Sequence, residues 1–159
     1  MNGRSAPRLI LFCGLPGSGK TTLAKRLADR MPALRLCGDE WMSRLGIPLS
    51  DEEARDLLEV EFWRFAQELL KLGQSVILES GFWLRSDRDE KRLGARALGV
   101  SVELHYLDVP LEELWRRLEL RNQRARWSTV LIRRARLGDW VTFFEPPDQA
   151  ELELFGPVE

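Results

Sequence analysis

The chain has 159 residues, which fits a single domain with a sizeable hydrophobic core. Hydrophobic residues make up 44% of the sequence and charged residues 31%, as is usual for a globular protein. The formal net charge of −1 excludes a strong overall positive field that would hold a polyanion.

Membrane insertion and secretion are not indicated by the sequence. No apolar run approaches the roughly 20 residues that a membrane-spanning helix needs. The first residues, MNGRSAPR, lack the apolar stretch of a secretory signal. We therefore expect a cytoplasmic protein that does not contact a membrane. Its 20 Arg against 4 Lys would suit phosphate binding, but a GC-rich genome would produce the same bias.

Strand and helix signals alternate along the chain, which is typical of a parallel sheet covered by helices. The apolar runs RLILFC (8–13) and SVILE (75–79) predict buried strands, and LRLC (34–37) predicts a weaker one. The segment VSVELHY (100–106) alternates apolar and polar residues, so it predicts a half-exposed edge strand.

Helical patterns lie between these strands. In the clearest one, apolar residues recur about every 3.6 positions, with Ser50 and Glu53 as a predicted capping box and Gly73 as the C-terminal cap. Three shorter helices are predicted from the glycine loop to Pro32, over 86–99, and from Pro110 to about residue 121.

The segment 122–140 is rich in arginine and has irregular apolar spacing. Inside an α/β domain, such a segment is often a mobile lid over a site. We therefore predict one domain over residues 1–159, with a lid at approximately 122–140. The eight Arg between 116 and 136 would equally suit a solvated helix face, so we expect only two or three to be functional.

The loop after the first strand has the phosphate-binding pattern G-x-x-x-x-G-K-[ST], filled by Gly14, Gly19, Lys20 and Thr21. A glycine-rich turn alone is the simpler reading, but the strand before the loop and the helix after it favour a nucleotide site. In this reading Lys20 reaches the β and γ phosphates of ATP, and the Thr21 hydroxyl binds Mg²⁺. The residues predicted to hold the nucleotide are Gly14, Leu15, Pro16, Gly17, Ser18, Gly19, Lys20, Thr21 and Thr22.

Two carboxylates follow neighbouring strands and should lie at the same edge of the sheet. Asp39 comes two residues after the second strand, where it can accept the proton of an alcohol that attacks the γ phosphate. Alternatively, Asp39 caps the short helix near EWMSRL. Glu79 ends the third strand, where P-loop proteins usually carry a metal-binding Asp, so we predict a role for Glu79 in binding Mg²⁺.

The quoted segments together resemble a known family. GLPGSGKTTLAKRLA, GDEW, VILESGFWLRSDRD, HYLDVPLEELWRRLELRN and FFEPP are similar to segments of small bacterial P-loop kinases related to polynucleotide kinase, zeta-type toxins and chloramphenicol phosphotransferase. The resemblance covers roughly residues 8 to 148. It implies a three-layer αβα P-loop NTPase/kinase fold, with a parallel sheet of order 2-3-1-4 that is sometimes extended.

The resemblance also implies residue roles. Asp39 matches the base that acts on the acceptor hydroxyl. Arg117, Arg121 and Arg124 can match the lid arginines of the family, and we favour Arg121 and Arg124 as catalytic. Arg85 and Arg88, beyond the third strand, are predicted to clamp the acceptor or its phosphate.

Two positions depart from the family pattern. Glu79 replaces the commoner Asp. Met42 stands three residues after Asp39, where polynucleotide kinases place an arginine that clamps a phosphate. The second departure counts against a nucleic-acid acceptor.

The remaining candidates have ambiguous roles. Trp41 and Trp83 follow strand ends, so each can line an acceptor pocket or belong to the core. His105 is assigned no catalytic role. In the implied topology a third strand separates Cys13 from Cys37, so we expect both thiols to be reduced and buried.

These observations predict a P-loop kinase that uses ATP and Mg²⁺ to phosphorylate an alcohol on a small molecule, such as a metabolite, a nucleoside-like compound or an antibiotic. A polynucleotide 5′-hydroxyl kinase is the first alternative. A nucleotide-switched ATPase or regulatory module is the second. A zeta-like toxin would be a variant of the first reading.

Overall fold

A computed structural model describes residues 6–124 and 131–158 of the chain. Four strands and seven helices are assigned within these ranges. The strands are β1 (Arg8–Cys13), β2 (Ala33–Leu36), β3 (Ser75–Gly81) and β4 (Ser101–Tyr106). The helices are α1 (Lys20–Arg30), α2 (Gly38–Arg44), α3 (Glu52–Lys71), α4 (Arg85–Ala97), α5 (Leu111–Gln123), α6 (Arg134–Phe143) and α7 (Gln149–Leu152).

The four strands form one parallel sheet in the order β2-β3-β1-β4. This order and the α/β class confirm the fold predicted from the sequence. Because all four strands are parallel, the carboxyl ends of β1, β2 and β3 lie along one edge of the sheet. The glycine loop, Asp39 in the first turn of α2 and Glu79 near the end of β3 therefore lie at this edge.

Helices cover both faces of the sheet. On one face, Ile10, Phe12 and Ile77 pack against Ala24 of α1. On the other, apolar residues of β1 and β3 pack against α3 and α4, with Phe62 and Trp63 of α3 buried. Both faces of β1 are thus removed from water, which explains its uninterrupted apolar sequence.

A third cluster of buried apolar side chains lies beside the glycine loop. Leu15 of this loop packs with Leu114 and Leu118 of α5, and with Ile132 and Leu137 of the α6 region. The glycine loop therefore rests on α5 and α6 as well as on the sheet.

The long helix α3 begins differently from the prediction. Its N-cap is Asp51, whose Oδ1 accepts a hydrogen bond of 2.9 Å from the backbone N–H of Ala54. The predicted capping box of Ser50 and Glu53 is therefore wrong by one residue. Asp is as good an N-cap as Ser, so the sequence alone offered two neighbouring solutions. At the other end, Gly73 has a φ of +78° and follows the C-cap, as predicted.

The edge strand β4 is more buried than its alternating sequence predicted. Glu103 and His105 are both buried, because Arg8 pairs with Glu103 at 2.8 Å and the His105 ring stacks on Phe12 at 5.1 Å. Paired and stacked polar side chains do not need water on that face. The prediction of a half-exposed strand is wrong, although β4 does lie at the sheet edge.

The segment predicted as an irregular lid contains a helix, α6, over Arg134–Phe143. Part of the predicted lid, residues 125–130, lies outside the described residues. The single-domain assignment with a lid at about 122–140 stays a prediction.

Two further expectations concern the cysteines and the membrane. Cys13 and Cys37 are free and buried, and β3 separates β1 from β2, as expected. Within the two described ranges, no helix combines the length and apolarity needed to cross a membrane.

Candidate nucleotide and acceptor site

The glycine loop adopts a conformation that glycine makes possible. Gly17 and Gly19 have φ values of +84° and +97°, a region that side chains other than glycine rarely adopt. A Cβ on Gly17 would also lie 3.2 Å from Leu118 Cγ. Because Gly19 has no side chain, it cannot cap the first N–H groups of α1. These groups can therefore donate to an anion.

Ser18 lies in the same loop and is buried. Its Oγ has no hydrogen-bond partner within the part of the chain that the structure describes. A buried hydroxyl without a partner is costly, and a bound phosphate would relieve that cost. Pro16 and Thr22 flank this arrangement, and Thr22 is exposed on the first turn of α1.

Lys20 bends back onto the loop. Its Nζ donates hydrogen bonds to the carbonyl oxygens of Gly14 at 2.9 Å and Leu15 at 3.0 Å. Burial lowers the pKa of Lys20 to about 8, although the carboxylate of Glu79 acts in the opposite direction. The ammonium is therefore held close to the loop's anion-binding groups.

Thr21 and Glu79, both predicted to bind Mg²⁺, contact each other. The Thr21 hydroxyl donates a hydrogen bond to Oε1 of Glu79. The other carboxylate oxygen, Oε2, accepts a hydrogen bond of 2.7 Å from Nη1 of Arg35 on β2. Arg35 was not a candidate in the sequence, because a lone arginine in a weak strand carries no motif.

Asp39 lies at the start of α2, and its side chain is 62% exposed. The N-cap of α2 is Cys37, and Asp39 pairs instead with Nη1 of Arg55 on α3. The alternative role of Asp39 as a helix cap is therefore not observed. Arg55 is fixed by a second hydrogen bond of 2.7 Å to the carbonyl oxygen of Leu49. The sequence could not reveal this pairing, since 16 positions separate the two residues.

The two candidate tryptophans have different surroundings. Trp41 is 38% exposed on α2, with its ring edge against Phe62 at 5.2 Å. Trp83 is half-buried; its Nε1 donates to the carbonyl oxygen of Gly14 at 3.3 Å, and its ring packs 5.8 Å from that of Trp140. Trp83 thus supports the glycine loop, whereas Trp41 packs on Phe62 and leaves part of its ring exposed on α2.

The structure contradicts the acceptor-clamp role predicted for Arg88, which is 0% exposed. Its Nε and Nη2 donate to the carboxylate of Glu151 at 2.6 and 3.0 Å. Its Nη1 donates to the carbonyl oxygens of Phe82 at 2.9 Å and Trp83 at 3.1 Å. Arg88 therefore fixes the turn after β3, where Phe82 has an unusual φ of +43°. An arginine with its guanidinium committed to these partners and no exposure is a structural residue.

Arg85 is half-exposed at the first position of α4. Its guanidinium lies 3.5 Å from Asp89, and its backbone N–H donates to Glu145 at 2.8 Å. This arrangement leaves its role in acceptor binding a prediction.

Of the three arginines predicted to match the family's lid arginines, Arg117 on α5 contacts the glycine loop. Its Nη1 donates to the carbonyl oxygen of Gly17 at 3.3 Å, and its Nε pairs with Glu113 at 2.8 Å. Arg121 and Arg124 are exposed at the C-terminal end of the helix. Their distance in sequence from the start of the helix favoured Arg121 and Arg124 as catalytic residues. That distance does not show which side of α5 packs on the glycine loop.

A family model described as "AAA domain" matches residues 9–147. The chain belongs to this family. The resemblance to small P-loop kinases is also confirmed by solved structures with the same fold. A search among curated proteins found no match.

Three solved structures illustrate this similarity. A putative kinase from Chloroflexus aurantiacus j-10-fl is 25% identical, over 96% of this chain and 86% of that chain, with a TM-score of 0.75. A gluconokinase from Sinorhizobium meliloti 1021 is 22% identical, over 92% and 79%, with a TM-score of 0.63. A chain of the Pnkp1/Rnl/Hen1 RNA repair complex is 22% identical, with a TM-score of 0.72. This chain spans 48% of that protein, and 98% of its own length is matched.

Proposed function

We propose that the protein is an ATP-dependent phosphotransferase that moves the γ-phosphoryl group to an alcohol on a small molecule. One observation carries the proposal: an exposed carboxylate, Asp39, follows β2 at the same sheet edge as the glycine loop and the Thr21–Glu79 pair. Phosphoryl transfer needs a triphosphate site and a group that orients the nucleophile. The edge holds candidates for both.

The nucleotide would bind along the glycine loop. Its phosphate oxygens would accept hydrogen bonds from the loop N–H groups and from the buried Ser18 hydroxyl. Lys20 would exchange its two carbonyl partners for phosphate oxygens. These changes replace neutral acceptors by charged ones, which strengthens each hydrogen bond.

Thr21 and Glu79 fit a Mg²⁺ site, because Mg²⁺ prefers hydroxyl and carboxylate oxygens together with phosphates and water. The described residues contain no cluster of three or more His, Cys, Asp or Glu side chains, so phosphate and water would complete the coordination. When bound, the ion would neutralise charge on the transferred phosphoryl group.

On the acceptor side, Asp39 would accept the proton of the attacking hydroxyl. Arg55 would hold the Asp39 carboxylate in place while its other oxygen faces the acceptor. Trp41 supplies an exposed aromatic surface on the same helix, against which a sugar or a ring can pack. This combination suits an uncharged or weakly charged organic alcohol.

Cations over the transferred group would come from α5. Arg117 already contacts the glycine loop, so we propose it as the main source of this positive charge. Arg121 and Arg124 would approach the transferred group when the acceptor binds. Charge neutralisation of this kind is a large part of catalysis in phosphoryl transfer.

A polynucleotide 5′-hydroxyl kinase is the second candidate. Met42 is buried and cannot bind phosphate, but Arg55 brings a cation to Asp39 from α3 instead. Arg55 could therefore bind a phosphate of the acceptor in place of the arginine that is missing at position 42. A nucleic-acid acceptor would bind with a steep dependence on salt.

A screen with γ-labelled ATP and Mg²⁺ tests the proposal. The acceptors are metabolites with free hydroxyl groups, hydroxyl-bearing antibiotics and 5′-hydroxyl oligonucleotides. Label on a small alcohol supports the proposed function, and label on the oligonucleotide supports the second candidate. Label found only as inorganic phosphate would contradict both and favour a nucleotide-switched hydrolase.

A further inference from the structure

Arg35 lies between two carboxylates beside the proposed metal site. Its Nη1 is 2.7 Å from Oε2 of Glu79, and its Nη2 is 2.6 Å from Oε2 of Glu40. The Arg35 side chain is only 15% exposed, and that of Glu79 is 2% exposed. Water therefore screens the Arg35–Glu79 pair weakly.

The two oxygens of Glu79 have separate partners. Oε1 accepts from the Thr21 hydroxyl, whereas Oε2 accepts from Arg35. The carboxylate thus bridges α1 and β2. The residue type matters here, because Glu reaches one methylene further than Asp, and a longer side chain helps one carboxylate to contact both partners.

Glu40 holds Arg35 from the other side. Glu40 lies in the first turn of α2 and is also 3.5 Å from Nζ of Lys25 on α1. The hydrogen bond from Arg35 outweighs burial and lowers the pKa of Glu40, so this carboxylate remains charged. Arg35 is therefore anchored by a group outside the nucleotide loop.

We propose that Arg35 is a positioning residue that sets the divalent-cation affinity of the site by holding one oxygen of Glu79. The inference rests on the proposed role of Glu79 toward Mg²⁺. With Oε2 held by Arg35, only Oε1 faces the Thr21 hydroxyl, and the positive charge of Arg35 opposes a second cation nearby.

Charge arithmetic gives the direction of each change. Arg35→Gln removes one positive charge and frees Oε2 of Glu79, so divalent binding should tighten. Glu40→Gln removes one negative charge and leaves Arg35 to Glu79 alone, so divalent binding should weaken. Charges a few ångströms apart in a half-buried site change binding by about threefold to tenfold.

The experiment measures Mn²⁺ binding to the full chain by electron paramagnetic resonance, with a non-hydrolysable ATP analogue present at saturation. No phosphoryl transfer is needed for this readout. We expect Arg35→Gln to lower the Mn²⁺ dissociation constant about threefold to tenfold, and Glu40→Gln to raise it about twofold to fivefold.

Arg8→Gln is the matched control. Arg8 also lies on a strand and pairs with a buried glutamate, Glu103, but at the start of β1, away from the glycine loop. Its replacement should leave the Mn²⁺ dissociation constant within about twofold. Thermal unfolding of all three variants separates a loss of stability from a change in binding.

The proposal is overturned if Arg35→Gln weakens Mn²⁺ binding or leaves it within about twofold of the wild type. If Arg35→Gln does not fold, Glu40→Gln decides the matter, and unchanged or tighter Mn²⁺ binding in that variant overturns the proposal. Lower stability with unchanged Mn²⁺ binding would show a purely structural role.

If Glu79→Gln does not alter Mn²⁺ binding, the metal role of Glu79 fails and the inference falls with it. An enzyme that binds Mn²⁺ as described but phosphorylates no alcohol would contradict the proposed function alone.

Discussion

Lys20 shows how a single residue prepares the site before a nucleotide arrives. Its ammonium is held by the carbonyl oxygens of Gly14 and Leu15, both part of the loop that would receive the phosphates. Burial disfavours the charged form, and the hydrogen-bond acceptors of its Nζ among the described residues are neutral carbonyl oxygens. A bound phosphate group would favour the charged form of Lys20, since it brings negative charge to within hydrogen-bond distance of the ammonium.

We therefore predict that nucleotide binding is coupled to protonation of Lys20. The free protein has a Lys20 pKa of about 8, and bound phosphate should raise it. Because the bound form then holds more protons than the free form, affinity should fall as pH rises above about 8. Calorimetric titrations above that pH, in buffers of different ionisation enthalpy, should show proton uptake on binding.

Lys20→Met is the variant that checks this assignment. It should bind ATP at least about tenfold more weakly and lose the pH dependence above about pH 8, because Met carries no titratable group. Lys25→Met, on the exposed side of α1, should retain the dependence. Proton uptake that persists in Lys20→Met would assign the coupling to another group.

At the scale of elements, the short helix α7 holds the turn after β3 through the Arg88–Glu151 pair. Both side chains are almost fully buried, and Arg88 also binds two carbonyl oxygens of that turn. Removing one partner of a buried pair leaves an uncompensated charge. We predict that Glu151→Ala lowers the free energy of unfolding by about 3–5 kcal/mol, as measured by urea denaturation.

The control for this prediction is Glu153→Ala, two residues along the chain. The Glu153 side chain is exposed, and its described hydrogen bond is the one it accepts from Nε2 of Gln149 at 3.0 Å, so its replacement should cost at most about 0.5 kcal/mol. An Arg88→Gln protein of normal stability with a raised KM for the acceptor would contradict a structural role for Arg88.

The packing of α3 on α4 contains a titratable group. Burial raises the pKa of Glu59 on α3 to about 7, against the attraction of Arg55. The folded carboxyl binds its proton more tightly than the unfolded one, so its contribution to stability is present below about pH 4.5. This contribution is lost as pH rises through about 7. Glu59→Gln should therefore be more stable than the wild type by about 1–3 kcal/mol above about pH 8.

The difference between Glu59→Gln and the wild type should disappear below about pH 4, where the Glu59 carboxyl is protonated in both the folded and the unfolded protein. Glu61→Gln on the exposed side of α3 is the control, and should change stability by less than about 0.5 kcal/mol at either pH. Equal stability of Glu59→Gln and the wild type across this range would show that Glu59 is solvated.

The strands and most helices could be predicted from local pattern, because apolar runs and caps are local signals. Two elements show the limit. Burial of β4 depended on Arg8 and Phe12, which lie far away in sequence and neutralise or stack on its polar residues. The helix α6 follows an arginine-rich stretch, and its sequence shows no regular apolar face. Tertiary contacts decided both.

At the scale of the whole molecule, the near-neutral charge argues against a polyanionic acceptor. We predict that kcat/KM for the small acceptor changes less than about threefold between about 50 and 200 mM salt. A protein that contacts many phosphates would lose affinity by orders of magnitude over this range. Steady-state kinetics at several salt concentrations, with NaCl and potassium acetate compared, measures this dependence.

A steep salt dependence with an oligonucleotide acceptor would be the opposite result. If an oligonucleotide acceptor is phosphorylated and its kcat/KM falls steeply with salt, the molecule uses a basic surface that its net charge does not reveal. That result would support the polynucleotide kinase candidate over the small-molecule one.

The candidate site was only partly predictable for the same reason as the fold. The glycine motif, Asp39 and Glu79 were found because strand ends and a fixed spacing mark them. Arg35 and Arg55, which hold these two carboxylates, carry no motif and approach from other elements. Arg88 looked like a clamp by position, but Glu151, 63 residues away, removes it from the surface.

The most direct test of the proposed function is the kinetics of Asp39→Asn with the acceptor found in the γ-labelled screen. The change removes the carboxylate that would accept the hydroxyl proton, so kcat should fall about 10²- to 10⁴-fold while ATP affinity stays within about twofold. Asp51→Asn, which keeps a good cap at the start of α3, should leave kcat near the wild-type value. An Asp39→Asn enzyme that turns over at nearly the wild-type rate would contradict the role of Asp39 as the acceptor base.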